Sequence, residues 1–323
     1  MSSFVPVPVD YKIITVSSVY AYINEYVSPK RITDFCCGNI SEYKIYSPLG
    51  SGKYSLVYLG TSPYGLCAIK TLRQIEKHRV MREVSIMKQL INVQHVAKFF
   101  DLVNDGLTDT YSIITQFYPF TPFNELFLRV TNNEIRNLIH MLLETLDKIH
   151  QKGIMHRDIK PGNVLMNLEE NCLAIIDWGL ADYYFPWKQS SVKVATLRYK
   201  PPELLLSYHY YDYGIDIWGC GCIMAELMIR STFFDGETPE DVLQSLSSVC
   251  GSLSLINYAE KFGLSLPNSI QLMKKEDTWL TLQKNISPTK RNEKAIDLLK
   301  KLLTIDHTNR ITARDALKHP YFA

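Results

Sequence analysis

The segment "MHRDIKPGNVLM", residues 155–166, carries an aspartate and an asparagine five positions apart, Asp158 and Asn163. This H-R-D-x-x-x-x-N spacing suits phosphoryl transfer, since the carboxylate can accept a hydroxyl proton while the amide oxygen ligates a metal ion. Lys160 lies between them and would neutralise charge on a phosphoryl group in transit. The segment therefore predicts a catalytic loop in which Asp158 and Lys160 are catalytic and Asn163 is a metal ligand.

A second acidic segment follows the predicted catalytic loop. "IIDWGLA", residues 175–181, supplies Asp177, which is placed to bridge a metal ion to phosphates. A Trp at position 178 offers an indole N–H, and we expect it to donate a hydrogen bond that locks Asp177 towards the metal.

The segment "KPPE", residues 200–203, closes the stretch that follows Asp177. Its last residue, Glu203, and Arg310 on a predicted late helix are expected to form a buried ion pair. We expect that pair to be structural and not catalytic.

Two features upstream of the catalytic loop fit a phosphate site. In "LGSGKYSLV", residues 49–57, Gly50 and Gly52 would let backbone N–H groups approach a phosphate closely, because no Cβ blocks them. Lys70 follows on the next predicted strand, and Glu83 on a helix could hold its ammonium group against the α- and β-phosphates. Taken singly, each also fits a ligand-free hairpin or an exposed ion pair.

The bulk composition is that of an ordinary globular protein. The 323 residues are 46% hydrophobic and 21% charged, with a net charge of only +2, which argues against a general nucleic-acid binder. The seven cysteines contain no C-x-x-C pair, and neither a secretory leader nor a long apolar run is visible. We expect an intracellular protein of the cytoplasm or nucleus, with no nucleic-acid or membrane partner.

The chain changes character after Tyr118. Strand patterns occupy residues 43–50, 55–62, 66–72, 96–103 and 110–117, and one helix pattern covers residues 76–90. Beyond them, helix patterns dominate, beginning with an amphipathic helix over residues 132–153 that we expect to be capped by an asparagine and ended by a glycine. We predict an α+β fold with an N-terminal segment (1–42) packing on the core, a β-rich lobe with one main helix (43–118) and a larger helical lobe (119–323).

Together these motifs resemble the eukaryotic protein kinases and, over residues 19–322, the casein kinase II catalytic (alpha) subunit family. The pieces that carry the resemblance are "GSGKYSLV", "GIMHRDIKPGNV", "IDWGLADYYFP", "YYDYGIDIWGCGCIMAELM" and "LLTIDHTNRITARDALKHPYF". The resemblance implies a bilobal kinase fold with ATP and Mg²⁺ between the lobes. It also implies a serine/threonine kinase that is active without activation-loop phosphorylation and selects targets followed by acidic residues.

The resemblance extends to partners and to the first residues of the chain. It implies that "VYAYINEYVSPKR", residues 19–31, packs against the activation loop, and that a dimeric regulatory (beta) subunit binds two such chains as a heterotetramer. In the nucleotide pocket, Gln116 and Tyr118 would offer backbone groups to the adenine edge. The residues expected around the nucleotide are Leu49, Gly50, Ser51, Gly52, Lys53, Tyr54, Ser55, Leu56, Val57, Ala68, Lys70, Thr115, Gln116, Tyr118, Leu165 and Ile176.

The sequence departs from that family in the pocket. Ala68 and Thr115 stand where the family has a bulky aliphatic residue and a phenylalanine. We expect a roomier pocket, which leaves the use of GTP beside ATP open.

The basic residues near the cleft also differ from the family. The side chains expected to meet acidic substrate residues are Lys77, Arg79, Lys193, Arg198 and Lys200. However, Leu197 stands where the family has an arginine, and "ATLRYK" is closer to the cyclin-dependent type that prefers proline. A proline-directed kinase and a non-catalytic scaffold for a regulatory subunit remain as alternatives, and Ser190, Ser191 and Thr196 leave an activation-loop phosphosite open.

Overall fold

The computed structural model describes residues 36–73, 75–271 and 292–323. The predicted packing of residues 19–31 on the activation loop therefore falls outside the described residues. No helix in the described part of the chain is long and apolar enough to cross a membrane.

The first lobe is built on an antiparallel sheet of five strands in the order β1-β2-β3-β5-β4. The strands are β1 (Lys44–Ser51), β2 (Ser55–Ser62), β3 (Gly65–Leu72), β4 (Phe99–Asn104) and β5 (Tyr111–Gln116). All five predicted strand patterns are confirmed. β-branched and aromatic residues recur in each strand, and turn residues separate the first three. The tight turn between β2 and β3 ends at Gly65, whose φ of 103° lies in the region that favours glycine.

One long helix, α1 (Lys77–Gln89), packs on this sheet. Val80, Val84 and Met87 recur at helical spacing and are all buried, so the face predicted from the sequence is the one that meets the core. Glu83 lies between them and is buried as well, which brings a carboxylate to the inner side of the helix.

The second lobe is mainly helical. Its helices are α2 (Phe123–Arg129), α3 (Asn132–Gln151), α4 (Pro202–Leu205), α5 (Gly214–Ile229), α6 (Pro239–Cys250), α7 (Ser252–Phe262), α8 (Asn268–Gln271), α9 (Glu293–Leu302) and α10 (Ala313–Ala316). The expected asparagine cap of α3 is wrong by one residue: Thr131 caps the helix in a reciprocal arrangement with Glu134. The expected glycine stop is confirmed, since Gly153 follows the helix with a φ of 72°.

Helix α5 is the centre of the helical lobe. Every residue from Gly214 to Met228 is buried, so the helix is apolar around its whole circumference, as a central core helix is. The exceptions are acidic, Asp216 and Glu226, and both face specific partners described below.

Four short strands between α3 and α4 frame the predicted catalytic segments. They are β6 (Ile154–Met155), β7 (Val164–Asn167), β8 (Cys172–Ile175) and β9 (Asp182–Tyr183). Strand β6 pairs with β9 and β7 with β8. The pairings place the loop between β6 and β7, which carries Asp158, beside the segment after β8 that contains Asp177.

The predicted ion pair between Glu203 and Arg310 is confirmed, but the predicted helix at Arg310 is wrong, because this residue lies in the turn between α9 and α10. Nη1 and Nη2 of Arg310 donate to the two carboxylate oxygens at 2.6 and 2.9 Å, and neither side chain is exposed. The guanidinium also donates to the backbone carbonyls of Gly214 and Thr304. Arg310 therefore connects α4 to the start of α5 and to the turn that follows α9.

Candidate active site

The catalytic loop is anchored from below by Asp216 of helix α5. Its two carboxylate oxygens accept the backbone N–H groups of His156 and Arg157, each at 2.8 Å. Nε2 of His150 lies 3.0 Å from the same carboxylate, and Nε2 of His156 lies 3.0 Å from the carbonyl oxygen of Ile176. The loop is thus fixed to both the core helix and the strand that leads to Asp177.

Both carboxylate oxygens of Asp158 are held in place. Oδ1 accepts from the backbone N–H and the hydroxyl of Thr196, at 2.8 and 2.9 Å. Oδ2 accepts from Nδ2 of Asn163 at 2.9 Å and lies 2.8 Å from Nζ of Lys160. The structure therefore brings three predicted site residues together, with the carboxylate oriented before any substrate is bound, as a general base requires.

Thr196 is a site residue that the sequence did not reveal. Its hydroxyl donates to Asp158 and accepts from Nζ of Lys160 at 2.5 Å, so it links the activation segment to the catalytic loop. The sequence marked Thr196 only as one of three hydroxyls open to phosphorylation. Its only other signal was its position seven residues before Glu203.

Lys70 lies between two carboxylates. Its Nζ is 2.6 Å from Oε1 of Glu83 and 2.7 Å from Oδ1 of Asp177. Burial alone would lower the pKa of Lys70, but the two carboxylates outweigh it and raise the pKa above its usual value. The lysine is therefore a fixed cation that joins α1 to the segment after β8.

Gly179 closes the same cluster. A Cβ on this residue would lie 3.3 Å from Oδ1 of Asp177 and from Oε2 of Glu83, and 3.4 Å from Nζ of Lys70. Its backbone N–H donates to Oδ1 of Asp177 at 3.3 Å. A glycine at this position lets the backbone pack directly on the charged triad formed by Lys70, Glu83 and Asp177.

Asp177 and Asn163 form a donor set suited to a hard divalent cation. Burial tends to raise the pKa of Asp177, but Lys70 outweighs it and lowers the value to about 2, so the carboxylate is ionised at neutral pH. Nδ2 of Asn163 donates to the backbone oxygen and the carboxylate of Asp158, which leaves the amide oxygen as the end available to a ligand. Two oxygen donors of this kind fit a magnesium ion that phosphates complete.

The expected hydrogen bond from Trp178 to Asp177 is wrong. The indole nitrogen of Trp178 is fully buried and has no hydrogen-bond partner among the residues that the structure describes. The ring packs edge-on against His156, with centroids 4.7 Å apart. Trp178 thus supports the catalytic loop by packing, and Lys70 and Gly179 hold Asp177 instead.

Most of the predicted nucleotide residues lie on or between neighbouring strands of the first lobe. Ala68 of β3 pairs directly with Thr115 of β5, so the two small side chains meet on neighbouring strands. The backbone N–H of Phe117 donates to the carbonyl oxygen of Leu66 on β3. The Gln116 carbonyl belongs to the same peptide unit, and because the C=O and N–H of a trans peptide point in opposite directions, it faces away from β3. The partly buried members are Leu56, Val57, Ala68, Lys70, Thr115, Gln116, Tyr118, Leu165 and Ile176, Ser55 is buried, and Leu49, Gly50, Ser51, Gly52, Lys53 and Tyr54 are exposed.

Asp182 is a second residue that the sequence did not reveal. Its Oδ2 lies 3.1 Å from Nη2 of Arg157 and 3.4 Å from Nη1 of Arg82 on α1. Nε of Arg157 donates to the Leu180 carbonyl at 2.6 Å. One carboxylate therefore joins the catalytic loop, the activation segment and helix α1.

The predicted substrate cations of the activation segment have different surroundings. Lys193 is exposed, whereas Nζ of Lys200 donates to the carbonyl of Val192 at 3.0 Å. Burial lowers the pKa of Lys200, although the charge of Asp158 acts in the opposite direction. Arg198 forms an ion pair with Asp235 at 2.8 Å.

The two other predicted substrate cations, Lys77 and Arg79, lie on the exposed side of the first turn of α1. Nε of Arg79 is 3.5 Å from a carboxylate oxygen of Glu76. Their role towards a substrate stays a prediction.

Comparison with known proteins shows the family to which most of the chain belongs. The family model described as the protein kinase domain matches residues 43–322. The chain is 36% identical over 316 residues to a probable casein kinase II subunit alpha homolog of Encephalitozoon cuniculi, covering 96% of this chain and 98% of that relative. It is also 36% identical over 318 residues to a probable serine/threonine-protein kinase of Dictyostelium discoideum, where it covers 95% of this chain but 52% of the relative, about half its length.

Proposed function

The chain belongs to the protein kinase family as a serine/threonine kinase, and from this premise we propose that it is a constitutively active kinase of casein kinase II alpha type. Its targets would be serine or threonine followed by acidic residues. Two contacts carry the proposal, the ion pair of Lys70 with Glu83 and the hydrogen bond from Thr196 to Asp158. Both are made by unmodified side chains of this chain.

The catalytic roles follow from the positions of the charged groups. Protein kinases use ATP and a divalent metal ion, and we propose Mg²⁺, held by Asn163 and Asp177, which would neutralise phosphate charge when bound. Lys70 would bind the α- and β-phosphates. Asp158 would orient the substrate hydroxyl and accept its proton, and Lys160 would neutralise the transferred phosphoryl group.

Asp182 supports activity without phosphorylation of the activation segment. An arginine of the catalytic loop needs a negative partner in the activation segment, and phosphorylation of a loop residue is one way to supply it. Here the Asp182 carboxylate contacts both Arg157 and Arg82. This contact supports the proposal, because it would let the chain itself supply the charge that holds the active arrangement.

The acidic preference rests on the cations around the cleft and on the casein kinase II relative. Lys193, Arg198 and Lys200 lie on the activation segment, and Lys77 and Arg79 lie at the start of α1. We propose that these five side chains meet carboxylates downstream of the target hydroxyl. Whether GTP is used beside ATP is left open by Ala68 and Thr115, and competition between GTP and labelled ATP tests it.

Two further parts of the proposal concern partners and location. We propose that a dimeric regulatory beta subunit docks on the β-rich lobe (43–118), where Ile45, Tyr46, Tyr64 and Leu66 are exposed on β1 and around the turn that leads into β3. The helical lobe (119–323) would bind substrates, and the kinase would work in the cytoplasm or nucleus. Size measurement with and without a co-expressed beta subunit tests the assembly.

A proline-directed kinase is the second candidate, and one observation favours it. Arg198 is engaged by Asp235, which weakens the positive charge available to an acidic substrate. Leu197, next to it, is uncharged where an acidophilic kinase would profit from a cation.

A positional-scanning peptide library phosphorylated by the wild-type chain tests the proposal, with Asp158→Asn as the blank. We expect selection of Asp and Glu after the target serine or threonine and no transfer by the blank. Equal or better use of Ser-Pro peptides would favour the second candidate. No transfer by the wild-type chain would indicate a scaffold.

A further inference from the structure

Arg198 of the activation segment is held by a carboxylate that is itself fixed. Its Nη2 lies 2.8 Å from Oδ1 of Asp235, in the loop between α5 and α6. The same oxygen accepts the backbone N–H of Gly236 at 2.9 Å, and the backbone N–H of Asp235 donates to the hydroxyl of Ser245 at 3.1 Å. The carboxylate is therefore presented to the guanidinium by its own loop and loses less side-chain entropy than a typical surface pair.

A second carboxylate of the chain acts on Arg198. Burial raises the pKa of Glu226, whereas hydrogen bonds from the backbone N–H of Phe233 and the hydroxyl of Tyr199 and, to a smaller extent, the charge of Arg198 act in the opposite direction. Both carboxylate oxygens of Glu226 accept the hydroxyl of Tyr199, the residue after Arg198. Arg198 and Tyr199 thus contact acidic side chains of the loop after α5 and of helix α5, respectively.

Lys193 of the same segment is in a different situation. It is exposed, and no ion pair in the described part of the chain involves its ammonium group. Lys193 and Arg198 therefore differ in how readily they can bind a substrate carboxylate. Lys193 can meet a substrate carboxylate directly, whereas a carboxylate that approaches Arg198 must displace Asp235.

We propose that Asp235 is a specificity-determining residue, which occupies on Arg198 the place of a substrate carboxylate and so limits the preference for acidic substrates. The inference rests on the proposed function, since it concerns the same acidic recognition. Asp235 acts only through Arg198 and needs no contact with the substrate.

The expected size of the effect follows from the exposure of the pair. The side chains of Arg198 and Asp235 are 47% and 73% exposed, so the contact is weak and substrate can compete with it. Removing such a pair changes an equilibrium by about two- to fivefold. The effect is also expected to shrink as ionic strength rises, because exposed charges are screened.

The test compares kcat/KM for two peptides that differ only after the target serine, one with three acidic residues and one with three alanines. Dividing kcat/KM for the acidic peptide by kcat/KM for the alanine peptide gives an acidic-to-neutral ratio, in which general effects on catalysis or folding cancel. We expect Asp235→Asn to raise this ratio about two- to fivefold over the wild type at low salt. In an Arg198→Gln background, the same substitution is expected to leave the ratio where Arg198→Gln alone puts it.

Lys193→Ala provides the matched control on the same segment. We expect it to lower the ratio, and Asp235→Asn to raise the ratio by the same factor in its presence, because the two cations act separately. An unchanged ratio in Asp235→Asn overturns the proposal, as does an increase that persists without Arg198. A wild-type ratio near one, raised by Asp235→Asn, would support the role of Asp235 while overturning the acidic preference of the wild-type kinase.

Discussion

The Oδ2 atom of Asp182 lies 3.1 Å from Nη2 of Arg157, and the same oxygen reaches Arg82 on α1. Replacing Asp182 by asparagine removes the charge that keeps two guanidinium groups together. We expect kcat/KM for a peptide substrate to fall about 10- to 100-fold, because a charge-assisted hydrogen bond to a charged group contributes roughly 1.5–3 kcal/mol.

Asp182→Glu is the control, since it keeps the charge on a longer side chain and should retain more activity than the asparagine variant. Steady-state kinetics on both variants make the measurement. Equal activity of wild type and Asp182→Asn would contradict the role of this carboxylate in holding the active arrangement.

The link between Thr196 and Asp158 predicts a loss of turnover when the hydroxyl is removed. Thr196→Val keeps the shape of the side chain but can neither donate to Asp158 nor accept from Lys160. We expect kcat to fall about 10- to 100-fold, with KM for ATP little changed, because this hydroxyl contacts Asp158 and Lys160 rather than Lys70 or Asp177. Thr196→Ser should retain most of the activity, and a fully active valine variant would rule out the link.

The charged triad predicts a pH dependence. Lys70 holds the pKa of Asp177 at about 2, so the wild-type carboxylate stays ionised as the pH falls from 7 to 5. In Lys70→Met, burial acts without the opposing cation, and the pKa of Asp177 is expected to rise above its usual value. Protonation then weakens the binding of a metal–nucleotide complex at the acid end of this range.

The measurement is the dissociation constant of Mg²⁺–ADP for both proteins between pH 7 and 5. Titration of the nucleotide is common to both and cancels in their ratio. We expect the ratio of variant to wild type to grow steadily as the pH falls. A ratio that is independent of pH would show that Lys70 does not control the ionisation of Asp177.

The buried pair of Glu203 and Arg310 predicts a large effect on stability. Glu203→Gln leaves the fully buried guanidinium without its counter-charge, and we expect the free energy of unfolding to fall by about 3–5 kcal/mol. Lys318→Ala, which breaks the exposed pair with Asp315, is the matched control and should cost less than about 1 kcal/mol. Urea unfolding measures both, and similar losses would contradict the expected effect of burial.

Local sequence patterns predicted much of the fold and part of the site. The strands, helix α1 and the catalytic loop were predicted from residues that lie only a few positions apart in the sequence. The same holds for the roles of Asp158 and Asn163. The pair of Glu203 and Arg310 was also predicted, because each belongs to a motif with a fixed place in the kinase fold.

The contacts that the sequence missed join residues far apart in the chain. Thr196 is 38 residues from Asp158, and Asp182 is 100 residues from Arg82, so no local spacing relates either pair. The hydrogen bond expected of Trp178 failed for another reason. A residue type shows that an N–H exists, but the rotamer and its packing against His156 decide where the N–H points.

The pairing of Ala68 with Thr115 offers a chemical handle for finding substrates. Thr115→Gly would remove the side chain opposite the small Ala68 and is expected to admit an ATP analogue enlarged at the adenine amino group, which kinases with bulkier side chains at these positions exclude. In a cell extract, a thiophosphate from that analogue would then mark only the proteins that this kinase modifies.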